Sequence, residues 1–153
     1  MNFKKMRATV LMQLQYYPNT KRMLEEYDTY GLRAKGTGER VMNSHKSDPT
    51  QAEALLHLEP ESHVKAMRDW TWAIEQAWGF FKEKDEHKAE LMDALFGLSA
   101  KGLHPGRIGR RCSLAMKFHI SEATLYRWRE DIITAVMAAA IQCGAIRPYG
   151  PKR

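Results

Sequence analysis

Apolar side chains recur at steps of three and four residues along most of this 153-residue chain, a spacing that favours helices almost everywhere. The clearest stripe consists of Val64, Met67, Trp70/Thr71, Ile74, Ala77/Trp78 and Phe81, with Trp72 partly off it. The alternating apolar and polar runs that indicate strands between hairpin turns do not occur. The chain is therefore predicted to be all-α.

A second stripe marks the N-terminal region, residues 1–30, as a helical segment. Its members are Met6, Val10, Leu14, Tyr17, Met23, Leu24, Tyr27 and Tyr30. Pro18 interrupts the stripe, and proline removes a backbone donor and clashes with the preceding turn. We expect a kink or a break near Tyr17, with Asn19 or Thr20 capping a second helix.

Residues 31–48 are rich in glycine and basic side chains and poor in apolar ones, which predicts a flexible linker. Its basic side chains could reach phosphate, although a solvated tether is the favoured interpretation. Asp48 followed by Pro49 has the composition of a helix start, with a short helix running to about Leu58. Residues 49–146 are predicted to form a helical domain, followed by a basic tail at 147–153.

Three further helices are expected in that domain. The first covers Asp85–Ala100, with Leu98 among its inward-facing side chains, Gly102 as its stop and a turn at 103–106 after it. The other two cover Arg107–Phe118 and Ser121–Cys143, and together they form a candidate helix-turn-helix at 107–143. Ser121 is expected to be the N-cap of the last helix, and Gly144 is expected to end it. The stripe that contains three of the four Trp residues could offer a platform for bases, but helical spacing favours a core helix.

Charge is distributed unevenly along the chain, whose formal net charge is +6. Residues 59–100 carry 5 Lys or Arg against 9 Asp or Glu, whereas residues 101–153 carry 10 against 3. A basic region favours a polyanionic partner. The positive excess coincides with the candidate helix-turn-helix.

Arg111–Glu130 has the spacing that a helix-turn-helix requires. A small residue must stand where the helices cross, and apolar anchors must bury one face of each. His119 occupies the turn position, where glycine is usual because the backbone takes a positive φ. A metal-ligand role for His119 is disfavoured, since no cluster of ligands accompanies it. The predicted motif core consists of Leu114, Ala115, Phe118, Ile120, Leu125 and Trp128.

The outward face of the second helix then follows from its inward face. The side chains predicted to face bases are Ser121, Glu122, Ala123, Tyr126, Arg127 and Glu130. Arg127 is the best candidate for a guanine edge, because its guanidinium can donate two hydrogen bonds there. The side chains better placed for phosphates are Arg107, Arg110, Arg111, Lys117 and Arg129. For any one of these arginines, a solvated surface position is about equally expected.

The helix start at 47–50, the Trp-rich helix and the run Ser121–Arg129 together resemble the RinA/ArpU-type late transcriptional regulators of bacteriophages and prophages. The resemblance implies a regulator, an activator or a repressor, of phage packaging or structural genes in the cytoplasm of a bacterial host. It also implies a C-terminal unit similar to the promoter-reading end of sigma factors. Duplex DNA is the predicted partner, with host RNA polymerase and a homo-oligomer as further candidates.

Two alternatives stay open beside a DNA-binding regulator. A phage small terminase subunit also places a helix-turn-helix beside helical oligomerisation segments, and a helical protein-interaction module could use the basic end for an acidic partner. No enzyme is expected, since nucleotide-binding, metalloprotease and paired-carboxylate motifs do not occur. No cofactor, metal or membrane association is predicted either. Cys112 and Cys143 lack a CxxC arrangement and suit a reducing cytoplasm as small core residues.

Overall fold

The computed structural model describes residues 2–36, 61–99 and 111–148, and within these stretches the regular structure is entirely helical. The predicted all-α class is confirmed. The described helices are α1 (Phe3–Gly36), α2 (Glu61–Lys84), α3 (Glu86–Phe96), α4 (Arg111–Lys117) and α5 (Glu122–Cys143). The predicted helix start at Asp48 and turn at 103–106 lie outside the described residues.

Helix α2 lies at the centre of the fold, packing against α5, α3 and α1, while α1 also reaches α5. Apolar side chains from these helices form a single buried cluster. Its most fully enclosed large members are Leu14, Ile74, Leu91, Met92, Ile132 and Ile133. Burying a side chain of this size contributes roughly 1.5–3 kcal/mol, so this cluster is the main source of stability.

Helices α1 and α2 run antiparallel, as three polar contacts between them show. Arg68 pairs with Asp28. About two helical turns away on each helix, Lys21 pairs with Glu75. The Tyr17 hydroxyl donates to Glu75 Oε1 at 3.0 Å. The pKa of Tyr17 is raised, mainly because the side chain is buried and secondly because of this hydrogen bond. The N-terminal segment therefore shares the core of the helical domain that the sequence placed at 49–146.

Pro18 neither breaks α1 nor starts a new helix, so the predicted break near Tyr17 and the second helix capped by Asn19 or Thr20 are wrong. A proline inside a helix costs about 3 kcal/mol because one hydrogen bond is lost. Leu14, Tyr17 and Leu24, on both sides of Pro18, are buried against the rest of the fold. Their burial offsets the local cost and keeps the helix continuous.

The end of α1 also differs from the prediction. The helix continues to Gly36, so the first six residues of the predicted linker, 31–36, are helical. The remaining linker residues, 37–48, lie outside the described part of the chain. Local glycine content was therefore a poor guide to the helix end, since a single glycine costs only about 1 kcal/mol in a helix.

Helix α2 confirms the predicted stripe, with Val64, Ile74 and Phe81 among its buried side chains. Trp70 is buried in the core, whereas Trp72, off the stripe, is 40% exposed. The core interpretation of the Trp-rich helix is thus confirmed for Trp70.

Helix α3 begins after Asp85, whose carboxylate accepts a hydrogen bond from the Lys88 backbone at 3.3 Å. It ends earlier than predicted, at Phe96. Gly97 takes a left-handed φ of 64° and its N–H donates to Asp93 O at 2.8 Å, which closes the helix. The predicted stop at Gly102 is therefore wrong. Leu98 is buried as predicted, although it lies beyond the helix.

Candidate nucleic-acid interface

A tight turn joins α4 to α5, and its backbone takes the positive φ predicted at His119. His119 has φ 54°, the one positive φ among the described residues other than glycine. The Ile120 N–H donates to Ala115 O at 3.0 Å, and the His119 N–H donates to Met116 O at 3.2 Å. These two bonds form a Schellman motif, which satisfies the last carbonyls of α4 and reverses the chain.

The predicted motif core lies at the junction of the two helices. Leu114, Ala115 and Leu125 are 5%, 6% and 5% exposed. Helices α4 and α5 are in contact, and at the buried position of Ala115 a larger side chain would have to displace its neighbours. The remaining members are partly buried and pack against the main cluster: Phe118, Ile120 and Trp128.

Trp128 has an additional neighbour that the sequence did not indicate. Its ring stacks on His87 of α3, with centroids 6.4 Å apart and an interplanar angle of 17°. Lys88, next to His87, forms an ion pair with Asp131 at 3.0 Å, and this hydrogen bond raises the pKa of Lys88. Two contacts from α3 thus hold the second and third turns of α5.

Ser121 caps α5 as predicted. Its Oγ accepts a hydrogen bond from the Thr124 N–H at 3.1 Å and lies 2.9 Å from the Thr124 hydroxyl. Such a cap satisfies a backbone donor that has no partner within the helix and contributes about 1 kcal/mol. Gly144 closes the other end with φ 83°, also as predicted.

The N-terminal half of α5 presents a continuous exposed face. Five of the six side chains predicted to face bases are exposed: Ser121, Glu122, Ala123, Tyr126 and Arg127. This face stands opposite the buried side chain of Leu125. We call these five residues the reading face.

Glu130 departs from the predicted set. Its carboxylate accepts two hydrogen bonds from the Arg7 guanidinium. Arg7 Nε donates to Oε2 at 3.0 Å, and Arg7 Nη2 donates to Oε1. The hydrogen bond to Arg7 lowers the pKa of Glu130, and the same bond raises the pKa of Arg7. Glu130 therefore ties α5 to α1, and we leave it out of the reading face.

Two of the five residues predicted to contact phosphates lie, with their side chains, within the described part of the structure. Lys117 is exposed at the end of α4, with its Nζ 5.8 Å from the centroid of the Phe118 ring. Arg129 is half-buried on α5. Arg107, Arg110 and the side chain of Arg111 lie outside the described part of the structure.

Other kinds of site find little support in the residues that the structure describes. No three His, Cys, Asp or Glu side chains within 2–36, 61–99 and 111–148 gather in a way that could hold a metal ion. None of the helices in these ranges combines the length and the apolar character needed to cross a membrane. Cys143 is a free thiol, half-buried, with its Sγ 3.5 Å from Asp69 O.

Sequence reasoning found the turn, the cap and the anchors of the site but missed Arg7. The sequence carries no local signal for that contact, because Arg7 and Glu130 are 123 positions apart. Comparisons with protein-family models, curated proteins and solved structures yielded no match for this chain.

Proposed function

We propose that this chain is a sequence-specific, duplex-DNA-binding transcriptional regulator. The observation that carries the proposal is the reading face itself. It is exposed on the first turns of a capped helix that packs against α4, and Ala115 of α4 and Leu125 of α5 are both buried. A helix-turn-helix protein uses this arrangement to insert its second helix into the major groove.

The dimensions and the chemistry of the reading face suit a groove. An α-helix with side chains is about 10–12 Å across, and the major groove of B-DNA is about 12 Å wide. Arg127 can donate two hydrogen bonds to the O6 and N7 atoms of guanine. Ser121 and Tyr126 carry hydroxyls for a base edge or a phosphate, and Glu122 can accept from a cytosine amino group.

The surrounding charge favours DNA as the partner. Lys117 and Arg129 flank the reading face, and residues 101–153 as a whole carry 10 basic against 3 acidic side chains. Contacts of this kind supply affinity that is independent of sequence and sensitive to salt. An acidic protein could use the same charge, but it would not need a helix presented across a tight turn.

The narrower form of the proposal is a late regulator of phage or prophage genes, which acts in the bacterial cytoplasm on a promoter read together with host RNA polymerase. It is supported by the resemblance of Ser121–Arg129 to the RinA/ArpU-type regulators. The similarity of that family to the promoter-reading end of sigma factors would make α3, α4 and α5 the DNA-reading unit. The contacts that α3 makes with Trp128 and Asp131 suit such a unit.

Selection of bound sequences from a pool of random duplexes tests the proposal. We expect a defined site, and we expect Arg127→Ala to weaken binding to that site by about 5–150-fold, the 1–3 kcal/mol of a bidentate base contact. Binding to random duplex should change much less. Arg147→Ala, which removes an exposed arginine beyond α5, is the matched control and should leave the preference intact.

Two outcomes would count against the proposal. Enrichment of no sequence, together with binding that does not respond to salt, would favour a protein-interaction module. A ring of about eight subunits in light scattering would favour a small terminase subunit, since regulators are usually monomers or dimers.

A further inference from the structure

The first turns of α1 lie directly beside the reading face. Arg7 donates two hydrogen bonds to Glu130. In this contact the Arg7 side chain is 29% exposed and the Glu130 side chain is 30% exposed. Tyr126, one helical turn before Glu130, is near enough to contribute to the raised pKa of Arg7. The beginning of α1 is therefore fixed against the side of α5 that carries Tyr126 of the reading face.

Two lysines stand on the turn that precedes Arg7. Lys4 and Lys5 are both exposed. Their turn is ordered by Asn2, whose Oδ1 accepts from the Lys5 N–H at 2.9 Å and whose carbonyl accepts from the Met6 N–H at 3.1 Å. The backbone that carries the two ammonium groups is thus held in one place relative to α5.

The charge of these lysines is not balanced by neighbours on their own helix. The first acidic residue of the chain is Glu25. At 1.5 Å per residue it lies about 30 Å along α1 from Lys5, well beyond a Debye length at physiological salt. Arg7 is already neutralised by Glu130, so Lys4 and Lys5 provide the excess positive charge at this corner of the molecule.

We propose that the first turns of α1 form a second DNA-contacting surface, in which Lys4 and Lys5 bind backbone phosphates beside the groove that α5 reads. Arg7 and Glu130 keep this surface in register with the reading face. The inference rests on the proposed function. A duplex that receives α5 in its major groove carries phosphates along both edges of that groove, and the α1 corner flanks one edge.

The test compares two double variants of the full chain that remove equal charge. Lys4→Ala/Lys5→Ala removes the proposed contacts. Lys65→Ala/Arg147→Ala removes two exposed basic side chains near the opposite end of α5, where Cys143 lies against Asp69; Lys65 is paired with Asp69 at 2.8 Å, so this variant changes the net charge equally without removing a proposed contact. That end is about 20 Å from Glu130 along the helix. Binding is measured by fluorescence anisotropy with a mixed-sequence duplex of about 30 base pairs and with a selected site, over a series of salt concentrations.

We expect Lys4→Ala/Lys5→Ala to weaken binding to both duplexes by the same factor. The slope of log affinity against log salt should become shallower by about 1.8, which corresponds to two phosphate contacts. The control variant should retain the wild-type slope. Thermal melting of both variants confirms that each is folded.

An unchanged slope in Lys4→Ala/Lys5→Ala, with Arg127→Ala still impairing the selected site, would overturn the inference and leave the proposed function standing. An equal decrease of slope in the control would also overturn it, because general charge would then explain the effect. If wild-type protein bound neither duplex, the proposed function would fail, and the inference with it.

Discussion

Arg7 on the first helix and Glu130 on the last are joined by two hydrogen bonds, of which the one from Arg7 Nε to Glu130 Oε2 measures 3.0 Å. Guanidinium and carboxylate groups in this geometry make a stronger contact than a typical single surface pair. The contact links the orientation of α5 to the position of α1, and it makes stability depend on the charge of Glu130.

We expect Glu130→Gln to lower the free energy of unfolding by about 1 kcal/mol at pH 7. The hydrogen bond to Arg7 lowers the pKa of Glu130 in the folded protein. The stabilisation is therefore complete above the unfolded-state pKa of about 4.3 and is lost as pH falls through the lowered folded value. Urea unfolding at several pH values should show the difference from wild type shrinking in acid. Glu83→Gln, at an exposed position on α2, is the control; a difference that did not shrink as the pH was lowered would contradict the assignment.

His119→Gly should stabilise the protein by about 1 kcal/mol, because glycine takes a left-handed φ without the clash that a Cβ creates. His119 has φ 54° and is exposed, so few side-chain contacts are lost. The measurement is the urea midpoint at unchanged slope. His119→Val, a β-branched residue, should move the midpoint in the opposite direction; equal midpoints for the two variants would show that the turn is unstrained.

Ala115→Leu should destabilise the protein by roughly 1–3 kcal/mol, because the added atoms must fit where α4 meets α5. Ala115 is 6% exposed, whereas its neighbour Met116 is 76% exposed. Met116→Leu is thus the natural control, and its effect should stay within about 0.5 kcal/mol. If both variants unfolded at the same urea concentration as wild type, the helices would not cross closely at Ala115.

Two isoleucines of α5 offer a matched pair for the core. Ile132 is 0% exposed, and Ile141 on the same helix is 39% exposed. Ile132→Ala should cost about 2–5 kcal/mol because it leaves a cavity among α5, α2 and their neighbours. Ile141→Ala should cost much less, and a comparable loss in thermal or urea unfolding would mean that Ile141 is covered in solution.

Much of this fold could be predicted from the sequence because helix periodicity, helix caps and turns depend on residues close together in the chain. The stripe from Val64 to Phe81 identified α2. Apolar residues that repeat every three to four positions lie on one side of the chain only when the chain is helical. Ser121 and Gly144 marked the ends of α5 through backbone donors and φ values that belong to those residue types. The turn at His119 was placed for the same reason.

The errors arose where packing opposed a local preference. Pro18 suggested an interruption, but Leu14 and Tyr17 are buried beside it and keep α1 continuous. Gly102 was predicted as the stop of α3, whereas the structure shows that Gly97 takes the left-handed φ and ends the helix. The contact between Arg7 and Glu130 depends on tertiary arrangement alone, which single-residue preferences cannot encode.

The packing of α1 against α5 also sets the order in which the molecule can be completed during synthesis. Val10 and Leu14 are fully buried in a cluster that includes Ile132 and Val136. A nascent chain that has just left the ribosome with α1 and α2 lacks the side chains that enclose the first helix. The apolar side chains of α1 that pack against α5 stay exposed until α5 has emerged, so susceptibility to aggregation or chaperone capture is greatest in the interval between the two helices.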